Sequence, residues 1–177
     1  MKEKFKDRKD RIDEIIRVNH AGEYGAQRIY SGQIKFCKNK ELKKKLEKII
    51  REELVHYEYF NDVMIEKRTR PTVMSPLWHH GGFFFGVLTS LLGEKYVHAS
   101  TEAVEEVIVE HYEKQIKYLE KNKIEKKILR KIKQFCAEEE NHRSYAENSN
   151  HKVTGVSIFK NLTKGLTKVV IEISKKI

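Results

Sequence analysis

Residues 42–63 read LKKKLEKIIREELVHYEYFNDV, and their spacing decides the fold. Leu42, Leu46, Ile49, Glu53, His56, Phe60 and Val63 recur at intervals of three and four, the period of one face of an α-helix. Lysine and glutamate fill most of the other positions. Glu53 and His56 therefore sit on an apolar stripe, about 60° apart around the helix and about a turn apart along it. A buried, uncompensated carboxylate costs on the order of several kcal/mol, so Glu53 needs a partner, a proton or a metal. The second half of the chain repeats the pattern in Ile124, Ile128, Ile132, Phe135, Glu139, His142 and Ala146, with Glu139-Glu-Asn-His142 in place of Glu53-Leu-Val-His56.

Two further stripes carry one glutamate each. Ile12, Ile16, Asn19, Glu23, Ala26, Tyr30 and Ile34 form the first, and His98, Thr101, Glu105, Ile108, Tyr112, Gln115 and Leu119 the second. Glu23 is followed by Tyr30, Gln33 and Ile34, and Glu105 at the same offsets by Tyr112, Gln115 and Ile116, so the halves read as a duplicated helix pair. Each half supplies a Glu and then a Glu-x-x-His. Four glutamates and two histidines on four helices are the donor set known from ferritin-like di-iron and di-manganese carboxylate bundles, used here as a template. Four carboxylates neutralise two divalent cations, and hard oxygen donors with one imidazole per metal suit iron or manganese better than zinc. Iron is preferred because it supports redox chemistry.

The 177 residues, two prolines and long Lys/Glu/Ile/Leu stretches predict a single all-α domain over 1–177, a four-helix bundle with an extra short apolar helix and a C-terminal amphipathic helix. Helices are expected at about 7–37, 40–67, 95–121, 124–148 and 156–175, with a break at Arg70-Pro71. The ligand-bearing bundle would occupy about 7–148. Between them, Phe83 to Leu92 is mostly apolar, but ten helical residues span only about 15 Å against a bilayer core of about 30 Å. It is either a core helix or a segment dipping into a membrane interface. The last segment has Ile158, Leu162, Leu166, Val169 and Ile173 on one face and Lys160, Lys164, Lys168, Lys175 and Lys176 elsewhere; it either packs on the bundle or lies at the interface.

The net charge of +10 is read as lysine on solvated helix faces with glutamate interleaved, not as a nucleic-acid surface. Attraction to an anionic membrane is the functional alternative. Cys37 and Cys136 form no motif and are expected as reduced thiols. The first residues are charged rather than apolar, so no secretory signal is expected there.

Arg17-Val-Asn-His-Ala-Gly-Glu-Tyr-Gly-Ala26, Ile29-Tyr-Ser-Gly-Gln33, Arg70-Pro-Thr72, Val104-Glu-Glu-Val-Ile108 and His111-Tyr112 give the chain a close resemblance to the Coq7 (Clk-1) family of demethoxyubiquinone hydroxylases, over about residues 12–148. The resemblance implies a peripheral-membrane di-iron monooxygenase of ubiquinone biosynthesis, acting at ring position C6 with O₂ as co-substrate. It implies two Fe ions per chain held by Glu23, Glu53, His56, Glu105, Glu139 and His142, with Glu53 and Glu139 bridging and Glu23 and Glu105 terminal. His111 and Tyr112 match a pair implicated in passing electrons from NADH or another reductant. On position alone, Tyr112 lies on the site-facing stripe and His111 at its boundary.

The implied partners are a quinone lipid, a membrane surface, and a lipid-binding helper protein or a second copy of the chain. The implied location is peripheral, on the cytoplasmic face of the inner or cell membrane. A ferritin- or rubrerythrin-like role in iron storage or peroxide reduction is the rival on the same ligands. Three residues depart from the family pattern. Asn19 stands where Asp is expected, and His98 and Glu102 replace apolar residues. Glu102, one turn before Glu105, is either a seventh carboxylate near the site or a solvent-facing residue, and the second reading is preferred.

Overall fold

The computed structural model describes residues 2–149 and 155–176, with side chains from residue 7 onward. It is all-α. Six helices follow one another: α1 (Lys2–Phe36), α2 (Lys40–Lys67), α3 (Ser75–Leu92), α4 (Glu94–Asn122), α5 (Lys126–Ser149) and α6 (Val156–Ser174). The chain divides into two compact units, Met1–Leu91 with Val169–Ile177, and Leu92–Lys168.

In the first unit α1 and α2 form a helical hairpin. Asn39 caps α2, its side chain accepting from the backbone N–H groups of Glu41 (2.8 Å) and Leu42 (3.1 Å). Every position of the stripe Leu42 to Val63 is buried, with Met64 beside it. The helix ends on Arg68 in the left-handed region (φ 56°), and the N–H of Thr69 closes back onto the carbonyl of Met64 at 2.9 Å. The segment that follows is tied to α1. Thr69 donates to Asp13 (2.7 Å), while the buried Arg17 guanidinium donates to the carbonyls of Arg70 (2.9 Å) and Lys175 (2.8 Å). Those carbonyls would otherwise need water, and Arg17 also places positive charge at the C-terminal end of α6.

The middle helix is longer than expected from Phe83 to Leu92. It starts at Ser75, and its 18 residues extend about 27 Å. Pro76 falls in the first turn, where its missing N–H costs nothing, so it opens the helix instead of ending it. The glycines are explained by a close crossing. A Cβ on Gly86 would lie 2.0 Å from the carbonyl oxygen of Ile29, and one on Gly32 would lie 2.2 Å from that of Phe83, so α1 and α3 meet backbone to backbone. Alanine is the better helix former by about 1 kcal/mol, but it cannot fit at that crossing without parting the helices. We expect Gly86→Ala to destabilise the protein by about 2 kcal/mol or more in urea unfolding; an unchanged midpoint would contradict the crossing.

In the second unit α4 and α5 form the matching hairpin. Lys123 takes the left-handed cap position (φ 52°), and the N–H of Ile124 returns to Leu119 at 3.2 Å. Because this turn includes Ile124, α5 begins at Lys126, two residues later than its apolar period suggested. The residues Ile128, Ile132, Phe135, Glu139, His142 and Ala146 are all buried. Helix α4 is buried on every side from Val97 to Glu105, which removes the solvent face the sequence had assigned to Glu102.

The last helix, α6, contributes to both units. Its stripe Ile158, Leu162, Leu166, Val169 and Ile173 is exposed, so the packing explanation for this face is corrected. Val156, Thr163, Ile171 and Ser174 are the buried residues instead. Helix α3 likewise exposes Leu77, Phe84, Leu88, Leu91 and Leu92 and buries Gly86 and Thr89. Among the described residues no helix is long and apolar enough to cross a membrane.

Candidate metal centre

Glu23 on α1 and Glu53 and His56 on α2 converge inside the first unit, each offering a ligand atom within 4.8 Å of the others. Nδ1 of His56 lies 3.5 Å from the Glu23 carboxylate. Their meeting follows from the hairpin: the α1 stripe and the α2 stripe are each other's core, and both carry their polar residues at the same level. In the second unit Glu105 on α4 and Glu139 and His142 on α5 converge in the same way, again within 4.8 Å. There His142 Nδ1 lies 3.1 Å from Glu139. All six residues are at most 4 % exposed.

The donor chemistry of each triad fits one divalent cation. Two carboxylates offset its charge, and one imidazole supplies nitrogen, a set that suits iron or manganese. Without such a cation two carboxylates face each other in a dry environment, an arrangement that is costly to bury. Sulfur takes no part. Both cysteines are free thiols, and burial together with Glu113, Glu139 and Glu140 pushes the Cys136 thiol upward.

The residues that follow each first glutamate along its helix repeat as well. Tyr30 and Gln33 on α1, and Tyr112 and Gln115 on α4, are all buried. The Gln33 amide donates to Thr89 (3.2 Å), and the Gln115 amide donates to Nε2 of His111 (2.7 Å), which places the ring proton of neutral His111 on Nδ1. His111 is half-buried and Tyr112 fully buried. Glu102, expected toward solvent, is buried and paired with Lys160 of α6. The buried His98 packs its ring edge-on against Tyr145 (5.7 Å), and burial pulls its pKa down against the opposing charge of Glu94. Asn19 is buried too, on the same face as Glu23.

One feature had no assignment from the sequence. A cavity of about 430 Å³ in the first unit is lined by His20, Tyr24, Tyr57, Ser75, Pro76, His79 and His80. Tyr24 and Tyr57 directly follow the triad residues Glu23 and His56. The Tyr24 hydroxyl is hydrogen-bonded to His79, and the ring of His20 lies 4.8 Å from that of Tyr57. Such a set of rings can stack against a planar ligand. The run His79-His80-Gly-Gly was visible in the sequence, but its role depends on where α3 crosses α1.

The family profile described as "Ubiquinone biosynthesis protein COQ7" matches residues 10–174. The chain is 39 % identical to the rat protein named NADPH-dependent 3-demethoxyubiquinone 3-hydroxylase, mitochondrial, over 93 % of this chain and 77 % of that protein. It is 36 % identical to the 3-demethoxyubiquinol 3-hydroxylase of Rhodospirillum rubrum, over 94 % and 78 %. It is 32 % identical to the Caenorhabditis elegans protein that bears the same name as the rat one, over 94 % and 90 %.

Proposed function

The chain belongs to the COQ7 family of ubiquinone-biosynthesis proteins, and we propose on that premise that it is a di-iron monooxygenase that hydroxylates the ring of a demethoxyubiquinone-type lipid with O₂. The observation that carries the reading is the pair of buried Glu, Glu, His triads, one per hairpin and in the same chain order. Glu23, Glu53 and His56 would hold one iron in the first hairpin, and Glu105, Glu139 and His142 another in the second. Bound iron supplies the electrons that activate O₂, so that one oxygen atom enters a ring C–H bond and the other leaves as water with two protons and two electrons from a reductant.

The chain's own residues do the rest. The carboxylates hold the charge of the metals at neutrality in a dry core, and the closed helix faces keep bulk water from the reacting ring. Relatives are named as NADPH-dependent, and a nicotinamide nucleotide is the reductant we assign, with His111 and Tyr112 as the relay next to the second triad. Exposed apolar residues on α3 and α6 support a peripheral position on the membrane that carries the quinone; the cytoplasmic face is the side we assign by resemblance to the family. A lipid-binding helper or a second copy remains the expected protein partner.

Complementation tests this directly. In a mutant lacking the hydroxylase, expression of this chain is expected to replace accumulated demethoxyquinone by ubiquinone, with about two irons per purified chain. Persistence of the demethoxyquinone despite folded, iron-loaded protein would sink the assignment.

A further inference from the structure

Helix α6 turns Lys160 and Lys164 inward. Lys160, Lys164 and Lys168 pair with Glu102, Glu106 and Glu110 of α4, the second pair at 2.6 Å and the third at 3.5 Å. Both series advance by four residues, so the pairs form a ladder along two adjacent helices. The ring of Phe159 reinforces it against Tyr96, at 5.2 Å. At about 100° per residue, the three lysines lie on average about 200° around α6 from the stripe Ile158, Leu162, Leu166, Val169 and Ile173. Seating the lysines on α4 therefore turns the stripe away from the protein. Ile158, Leu162, Leu166 and Val169 are 66, 68, 54 and 53 % exposed.

We propose that this glutamate–lysine ladder sets the rotation of α6 and thereby makes its apolar stripe a lipid-docking face that works by insertion, without requiring anionic headgroups. The inference rests on the reading of the substrate as a membrane-borne lipid and specifies the surface that meets the membrane. Three features of α6 select a lipid surface as the occupant. Lys160 and Lys164, which would otherwise attract anionic phosphate, are mostly buried against carboxylates, and only Lys168 at the third rung stays more than half exposed. The stripe is continuous over about 22 Å, which suits the plane of an interface. The helix is nevertheless too polar on its other side to span a bilayer.

The test uses the full, iron-loaded chain and sedimentation with vesicles of pure phosphatidylcholine, or of phosphatidylcholine with phosphatidylglycerol. Binding to the neutral vesicles is expected, unchanged by added salt, with anionic lipid contributing only an increment that salt removes. Leu162→Glu should weaken binding to both by about tenfold. Glu106→Lys with Glu110→Lys should reduce neutral-vesicle binding by a similar factor, and adding Lys164→Glu with Lys168→Glu should restore it.

Binding to anionic vesicles alone would overturn the proposal, as would full neutral-vesicle binding by the broken-ladder variant. Self-association without lipid that Leu162→Glu abolishes would assign the stripe to a second copy instead. Iron retention, and hydroxylation of a short-tailed substrate in detergent, should be the same in all these variants. A failure of lipid docking is thus distinct from a failure of the hydroxylase assignment.

Discussion

Glu53→Ala and Glu139→Ala each abolish ring hydroxylation and lower iron retention by on the order of a hundredfold or more, the largest effects expected for single substitutions in this chain. The reason is charge as much as geometry. Two carboxylates would neutralise the divalent cation of each triad; with one, the triad would bury a net positive charge and offer one coordinating oxygen fewer. Activity and iron content of desalted protein check the loss. Glu52→Ala, one residue away but off the buried stripe, serves as the control and should retain both.

Stability gives an independent sign. In the presence of chelator, removing a buried carboxylate relieves like-charge repulsion, so apo Glu53→Ala should melt at or above apo wild type. A variant that melts far below apo wild type would show that Glu53 supports the fold by itself and would count against its assignment as a metal ligand.

Ferrous iron is expected to raise the melting temperature of the wild-type protein by about 10 °C or more, and chelation to reverse the rise. At a free iron concentration of a hundred dissociation constants, each site contributes about 2.7 kcal/mol to the folded state. Two sites contribute about 5 kcal/mol, and each kcal/mol moves the midpoint of a chain this size by about 2–4 °C. Buried triads of like charge gain more from a cation than exposed carboxylates do, so calcium or magnesium at the same concentration should shift the midpoint little. Equal melting temperatures with and without iron would contradict a metal role for the triads.

The candidate site was legible because its signal is local. Glu53 and His56 could be assigned to a buried face from seven residues of one stripe, and the structure buries all seven. The same period placed Glu139 and His142, and equal offsets to Tyr30 and Tyr112 paired Glu23 with Glu105. What failed was the reading of Glu102, which needed the position of a distant partner. Glu102 looks solvent-facing on α4 alone, and only Lys160, 58 residues later, accounts for its burial. The hydrogen bonding of Arg17 was equally silent: its two acceptors lie 53 and 158 residues away.

By itself, then, the sequence determined the two helical hairpins, the buried stripes of α2 and α5, and which six side chains must find a cation or another partner, because helical period and the cost of a buried carboxylate are properties of a short stretch of chain. Tertiary structure alone decided that α3 begins at Ser75 and crosses α1 through Gly32 and Gly86. It also decided that α6 turns Lys160 and Lys164 inward. A lysine every fourth residue reads the same whether water or a glutamate receives it, and an apolar stripe reads the same whether it faces a core or is left open. The difference lies in which helix stands opposite.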